Sequence, residues 1–100
     1  MAAPARFAGQ VAVVTGGADG LGKGITHRLL TEGAHVVIFD VNEKLMQDTV
    51  AEFAAAGLAK ASFAKVDVSN EANVKQEIDN AAATHGRLDI LINCAGIVGM

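Results

Sequence analysis

The chain has 100 residues, of which 51% are hydrophobic and 19% charged, with a formal net charge of −3. That suffices for the core of one small domain, or of part of a larger one, and no apolar run is long enough to span a membrane. The negative balance and the scattered Lys and Arg residues set aside nucleic acid and anionic membranes as main partners, while a single Cys rules out an internal disulfide and suits a reducing cytoplasm.

Residues 1–8 lack the apolar stretch of a secretory signal. Residues 10–15 read as a first, buried strand. Gly16, Gly20 and Gly22 follow, and a helix is predicted from about Gly20, with Leu21, Ile25 and Leu29 on one face and Gly33 as its C-cap. Residues 35–39 are an unbroken apolar run, expected as a central strand covered on both faces. Asn42 is placed to cap a second helix, where Leu45, Thr49 and Phe53 share a face flanked by Met46 and Val50, and Gly57 stops it. Residues 61–66 suit a third strand. Ser69 or Asn70 caps a third helix carrying Val74, Ile78 and Ala82, with Glu71 and Lys75 as an i,i+4 pair and Gly86 at its end. Residues 88–92 form the fourth apolar run, predicted to leave an unprotected apolar edge. Crossovers of helical length force parallel, right-handed pairing. The predicted fold is therefore α/β, one half of a doubly wound parallel sheet, with strand order 3-2-1-4 by analogy with that fold.

The chemistry points to the stretch 11–24, VAVVTGGADGLGKG. A strand turning sharply into a helix aims the helix's free N–H groups and positive dipole end at one spot outside the sheet. Glycines there permit the turn and let a pyrophosphate approach main chain. Residues 17–23 also fit the spacing of a nucleoside-triphosphatase P-loop, with Asp40 as its metal-binding Asp. Gly24, however, stands where that loop needs a hydroxyl for magnesium. The glycines alone would equally serve close helix–strand packing with no ligand.

Asp40 ends the second strand, 18 residues beyond Gly22, where a dinucleotide fold places a carboxylate for the adenosine ribose hydroxyls. It would repel a 2′-phosphate, and neither Asp19 nor Val41 supplies the basic residue that would offset this. Without a ligand, Asp40 would simply close a strand into a turn. Cys94 is read as a small buried group rather than a nucleophile. His27, His35 and His85 are expected to sit singly, with no metal-site spacing.

The pattern Thr15-Gly16-x-x-x-Gly20-x-Gly22, with Phe7-x-Gly9 before it and Asp40, Asp67-Val68 and Asn93-Cys94-Ala95-Gly96 after it, resembles the short-chain dehydrogenase/reductase family. The resemblance implies a Rossmann-like fold, NAD(H) as cofactor, and hydride transfer between a small-molecule alcohol and a ketone. It implies that Gly16, Asp19, Gly20, Leu21 and Gly22 surround the pyrophosphate and that Asp40 and Val41 meet the ribose. Asp67 would take the adenine amino group, or else merely help cap a helix, and the Val68 backbone would meet the ring. Asn93, Ala95 and Gly96 would line the ribose and nicotinamide side. Cys94 departs from the family's Asn, which removes that side-chain hydrogen bond. The family's catalytic Ser, Tyr and Lys fall beyond this segment, and the chain has no Tyr. Residues 1–100 are thus expected to form the N-terminal cofactor-binding part of a single Rossmann-like domain whose remainder lies outside this chain. The complete protein is expected to be cytoplasmic and homo-oligomeric. The alternative is a free-standing, non-catalytic nucleotide-binding module.

Overall fold

A computed structural model of the chain describes residues 6–94. The elements run β1 (Val11–Thr15), α1 (Gly20–Thr31), β2 (His35–Asp40), α2 (Glu43–Ala55), β3 (Ala61–Lys65), α3 (Glu71–His85) and β4 (Ile90–Asn93). All pairings are parallel, and the four strands lie in the order β3-β2-β1-β4, as the sequence predicts.

Alternation along the central strands sorts the core into two layers. Ala12, Val14, Val36 and Ile38 face α1 and α2 and pack with Leu29, Leu30, Met46 and Phe53. Val13, Val37 and Phe39 point to the other face and meet Val66 and Ala81, with Val74, Ile78 and Leu88 around them. All five residues of β1 are buried, and each fully buried Val contributes about 1.5–3 kcal/mol. The chain moves outward from β1 through β2 to β3, then α3 returns over the opposite face to β4. The direction of winding therefore reverses between β1 and β4, which opens a crevice outside the C-terminal end of β1.

Local details depart from the sequence reading. Leu21 is 62% exposed, and the buried stripe of α1 is instead Gly22, Thr26, Leu29 and Leu30. These follow the i, i+4, i+7, i+8 spacing that a core-facing helix needs, whereas Leu21 sits one position off it, at the crevice. Glu32 caps α1, and Gly33, at φ 95°, takes the left-handed position just after it. On α2 the buried seam is Met46, Thr49 and Phe53, with Leu45 half-buried. Asn70, not Ser69, caps α3, whose deepest residue is Ala81. Lys75 pairs with Asp79 at 3.5 Å rather than with Glu71. The last strand begins at Ile90, and Leu91 on it is 54% exposed, so one of its faces stays open. Two of the histidines are not solitary: the rings of His35 and His85 lie 4.3 Å apart, because the start of β2 and the end of α3 meet below the sheet. Among the described residues no helix is long and apolar enough to cross a membrane, and no three His, Cys, Asp or Glu residues gather as metal ligands.

Candidate cofactor site

Every site residue that falls within the described region lies at the C-terminal edge of the sheet, at the end of a strand, in the loop that follows it or in the first turn of the next helix. Parallel strands stand about 4.8 Å apart, so the ends of β3, β2, β1 and β4 line up Asp67, Asp40, the glycine loop and Asn93 over about 15 Å. Ala95 and Gly96 lie outside the described residues.

The loop between β1 and α1 is built by close contact. Gly16, at φ 67°, donates its N–H to the Phe39 carbonyl (2.8 Å), which anchors the turn to β2. A Cβ on Gly22 would stand 2.0 Å from the Gly16 carbonyl oxygen and 3.1 Å from the Gly17 Cα. The first turn of α1 therefore lies directly on the loop's main chain. Gly17 is equally constrained: its Cβ would meet the Thr26 Oγ1 at 2.9 Å. Buried Thr26 donates to the Gly22 carbonyl (2.9 Å), and buried Thr49, reaching from α2, donates to the Ala18 carbonyl (3.1 Å). The loop is thus held from both helices. Gly20 adopts φ 54° with open space around it, so its conformation, not crowding, calls for glycine.

Asp19 caps α1, its Oδ1 accepting from the Gly20 N–H at 2.9 Å. The Lys23 N–H goes to the Asp19 carbonyl. Among the described residues no acceptor takes the N–H groups of Leu21 and Gly22. Two unsatisfied donors at a helix N-terminus, approached over glycine, suit an anionic group.

Asp40 turns Oδ1 back onto the Val41 N–H (2.7 Å), which leaves Oδ2 without a partner among the described residues. It therefore closes the strand into its turn and still presents a free carboxylate oxygen. Lys65 is its register partner on β3 but makes no ion pair among the described residues. Asp67 accepts from both the hydroxyl (2.6 Å) and the N–H (3.0 Å) of Ser69, and these bonds hold its carboxyl below the usual range. Its own N–H is taken by the Asn73 Oδ1 at 2.9 Å. Val41 and Val68, which follow β2 and β3 at this edge, are 56% and 43% exposed. Asn93 accepts from the Thr15 hydroxyl (2.8 Å), linking the ends of β1 and β4. Cys94 is buried in the core, its N–H on the Thr15 carbonyl, as the apolar reading of it requires.

The sequence reading missed Gly17, Thr26, Thr49 and Asn73. Thr26 and Thr49 stand on apolar helix stripes, where a hydroxyl must find a partner; that mismatch was the available signal. Asn73 follows the Asn70 cap by three residues, the spacing of a reciprocal capping pair.

Comparison with known proteins agrees with this geometry. The family model for short chain dehydrogenase matches residues 10–100. The chain is 45% identical over 92 residues to 3beta-hydroxysteroid dehydrogenase 2 of Eggerthella lenta, covering 92% of this chain and 35% of that protein. It is 42% identical over 94 residues to 2-dehydro-3-deoxy-L-rhamnonate dehydrogenase (NAD(+)) of a Sphingomonas species, covering 94% and 36%. Among solved structures, a short chain dehydrogenase from Mycobacterium smegmatis superposes with a TM-score of 0.84 at 33% identity, over 93% of this chain and 38% of that one. The chain thus spans about a third of the length of these relatives. A glycine cradle at the winding reversal, aligned carboxylates along one sheet edge and a match over nearly the whole sequence all say the same thing: this chain belongs to the short-chain dehydrogenase family.

Proposed function

We propose that the chain forms the NAD(H)-binding part of a Rossmann-like domain, in an oxidoreductase that moves hydride between an alcohol and a ketone. The observation that carries this reading is the cradle: a helix start pressed onto glycine main chain, with the Leu21 and Gly22 N–H groups unspent among the described residues. A bound nicotinamide supplies hydride acceptance and donation. The chain's own residues bind and orient it. The Leu21 and Gly22 N–H groups take pyrophosphate oxygens, Asp40 Oδ2 takes ribose hydroxyls, and Asp67 with the Val68 main chain meets the adenine. Asn93, Ala95 and Gly96 serve the nicotinamide side.

No residue of this chain is assigned a catalytic role, and the chain spans about a third of the length of its relatives. The complete protein is read as a cytoplasmic homo-oligomer acting on a small molecule. NAD is favoured over NADP because a 2′-phosphate would meet the Asp40 carboxylate. At about 4 Å that repulsion amounts to roughly 1–4 kcal/mol. The NAD(+) in the name of the Sphingomonas relative supports the same choice.

Calorimetric titration of the chain with NAD and NADP tests this, with NAD expected to bind about tenfold or more tightly. In Asp40→Ser the preference is expected to fall, with Lys65 left beside the phosphate. Equal affinity of the unaltered chain for both cofactors would overturn the role of Asp40, and binding of neither would overturn the cradle.

A further inference from the structure

At the opposite, N-terminal edge of the sheet lies a second cavity, of about 170 Å³, walled by Gly9, Gln10 and Gly33 and flanked by His35, Lys60 and His85. This is several times the ~30 Å³ share of one water. The three titratable side chains come from three elements. His35 opens β2, Lys60 precedes β3, and His85 ends α3 with its ring 4.3 Å from that of His35.

Two acidic groups near this edge of the sheet are already committed. Glu32, at the end of α1, is ion-paired with both Arg6 and Arg28. Asp89, before β4, is held by Arg87 at 2.8 Å and by the Val11 N–H. Lys60 has no ion pair among the described residues, and no carboxylate lines the cavity. A protein of net charge −3 thus gathers Lys60 and two imidazoles, with no carboxylate among the lining residues, around a polar hollow at the edge opposite the cofactor crevice.

We propose that this cavity is a binding site for a small oxoanion of the phosphate class, held by Lys60, His35 and His85. Without an anion, burial and then the positive neighbours His85 and Lys60 hold the His35 imidazole below its ordinary value. An oxoanion in the hollow beside the two rings would accept hydrogen bonds from ring N–H groups and offset the unfavourable environment of His35, so binding is strongest in mild acid.

The test is an NMR titration of the histidine ring signals of the chain with inorganic phosphate, against sodium chloride at matched ionic strength, at about pH 6 and about pH 8. Expected are saturable shifts of the His35 and His85 signals with phosphate, tighter at the lower pH, and a rise of the His35 pKa on saturation. Lys60→Ala changes an exposed side chain and is expected to weaken phosphate binding about tenfold. A second arm uses glycerol 3-phosphate: saturation by it assigns the site to a metabolite's phosphate group, and saturation by inorganic phosphate alone assigns it to the free ion. Shifts no different from those in chloride would overturn the proposal, as would an unchanged affinity in Lys60→Ala. Since the proposed NAD site lies at the other edge of the sheet, NAD affinity is read separately in the same samples.

Discussion

The Gly16 carbonyl oxygen lies 2.0 Å from the point where a side chain on Gly22 would begin. No rotamer relieves that contact, because both atoms are fixed by main chain, and only separation of α1 from the loop would. Gly22→Ala is accordingly expected to destabilise the fold by about 1–3 kcal/mol, the range of overpacking, and to abolish cofactor binding. Gly24, two residues on, has nothing within 4 Å of its would-be Cβ. Gly24→Ala is expected to stabilise the helix by about 0.5–1 kcal/mol. Denaturant unfolding of both variants checks the contrast, and a Gly22→Ala protein as stable as its parent would refute it.

Thr49→Val keeps the shape of a buried side chain and removes the hydroxyl that holds the Ala18 carbonyl from α2. The carbonyl is then left unsatisfied, at a cost of about 1–3 kcal/mol. The loop also loses its tether, so cofactor affinity is expected to fall alongside the melting temperature. Unfolding and cofactor titration on the same preparation measure both; a variant with neither effect would remove Thr49 from the support of the cradle.

Asn73→Ala takes away the acceptor for the Asp67 N–H, in an exposed loop. The global cost is expected to stay near 0.5–1.5 kcal/mol. The local effect is the informative one: the Asp67 amide should exchange its hydrogen faster while amides of β1 do not change. Equal protection at Asp67 in both proteins would show that the loop holds its shape without Asn73.

Acid is expected to act in two stages. His35 is held below its ordinary value of 6.5, by burial first and then by His85 and Lys60. The unfolded chain therefore takes up that proton more readily than the folded one. The associated stability is complete above the unfolded value and drains away as pH falls through it toward the folded value. The carboxyls act lower. Burial would raise Glu32, but Arg6 and Arg28 together keep it lowered; Arg87 and the Val11 N–H lower Asp89; Ser69 lowers Asp67. Their contribution is present above the ordinary carboxylate range and disappears as pH falls through the folded values. Urea midpoints against pH, in chloride buffers without phosphate, should show both declines, and His35→Gln should lose only the first. A profile flat from about pH 7 to about pH 5 would contradict the account of His35.

The element sequence was legible because it rests on signals internal to each segment, whereas the strand order came by analogy with the doubly wound fold. Residues 36–39 are apolar without a break because β2 is covered on both faces, and each crossover has the length that a parallel return needs. The glycine spacing located the loop for the same reason. The partners of that loop were not legible, since Thr49 meets Ala18 across 31 positions and Gly17 meets Thr26 only once α1 is laid against β1. Periodicity assigned Leu21 to the core, yet the first turn of a helix that starts at a crevice turns one apolar side chain outward. The His35–His85 contact joins two segments whose sequences carry no mutual signal.

Val11 and Asp89 exchange two hydrogen bonds, the Asp89 N–H to the Val11 carbonyl and the Val11 N–H to the Asp89 carboxylate. They stand 78 residues apart. On a ribosome adding about 5–20 residues per second, β1 and its glycine loop exist for roughly 4–16 s before that partner is synthesised. Within that interval β1 is an edge, not a centre, and the Thr15–Asn93 bond that steadies the mouth of the crevice has no second member. The first strand made is therefore among the last to be completed, and the cradle at its end matures only after β4 has docked.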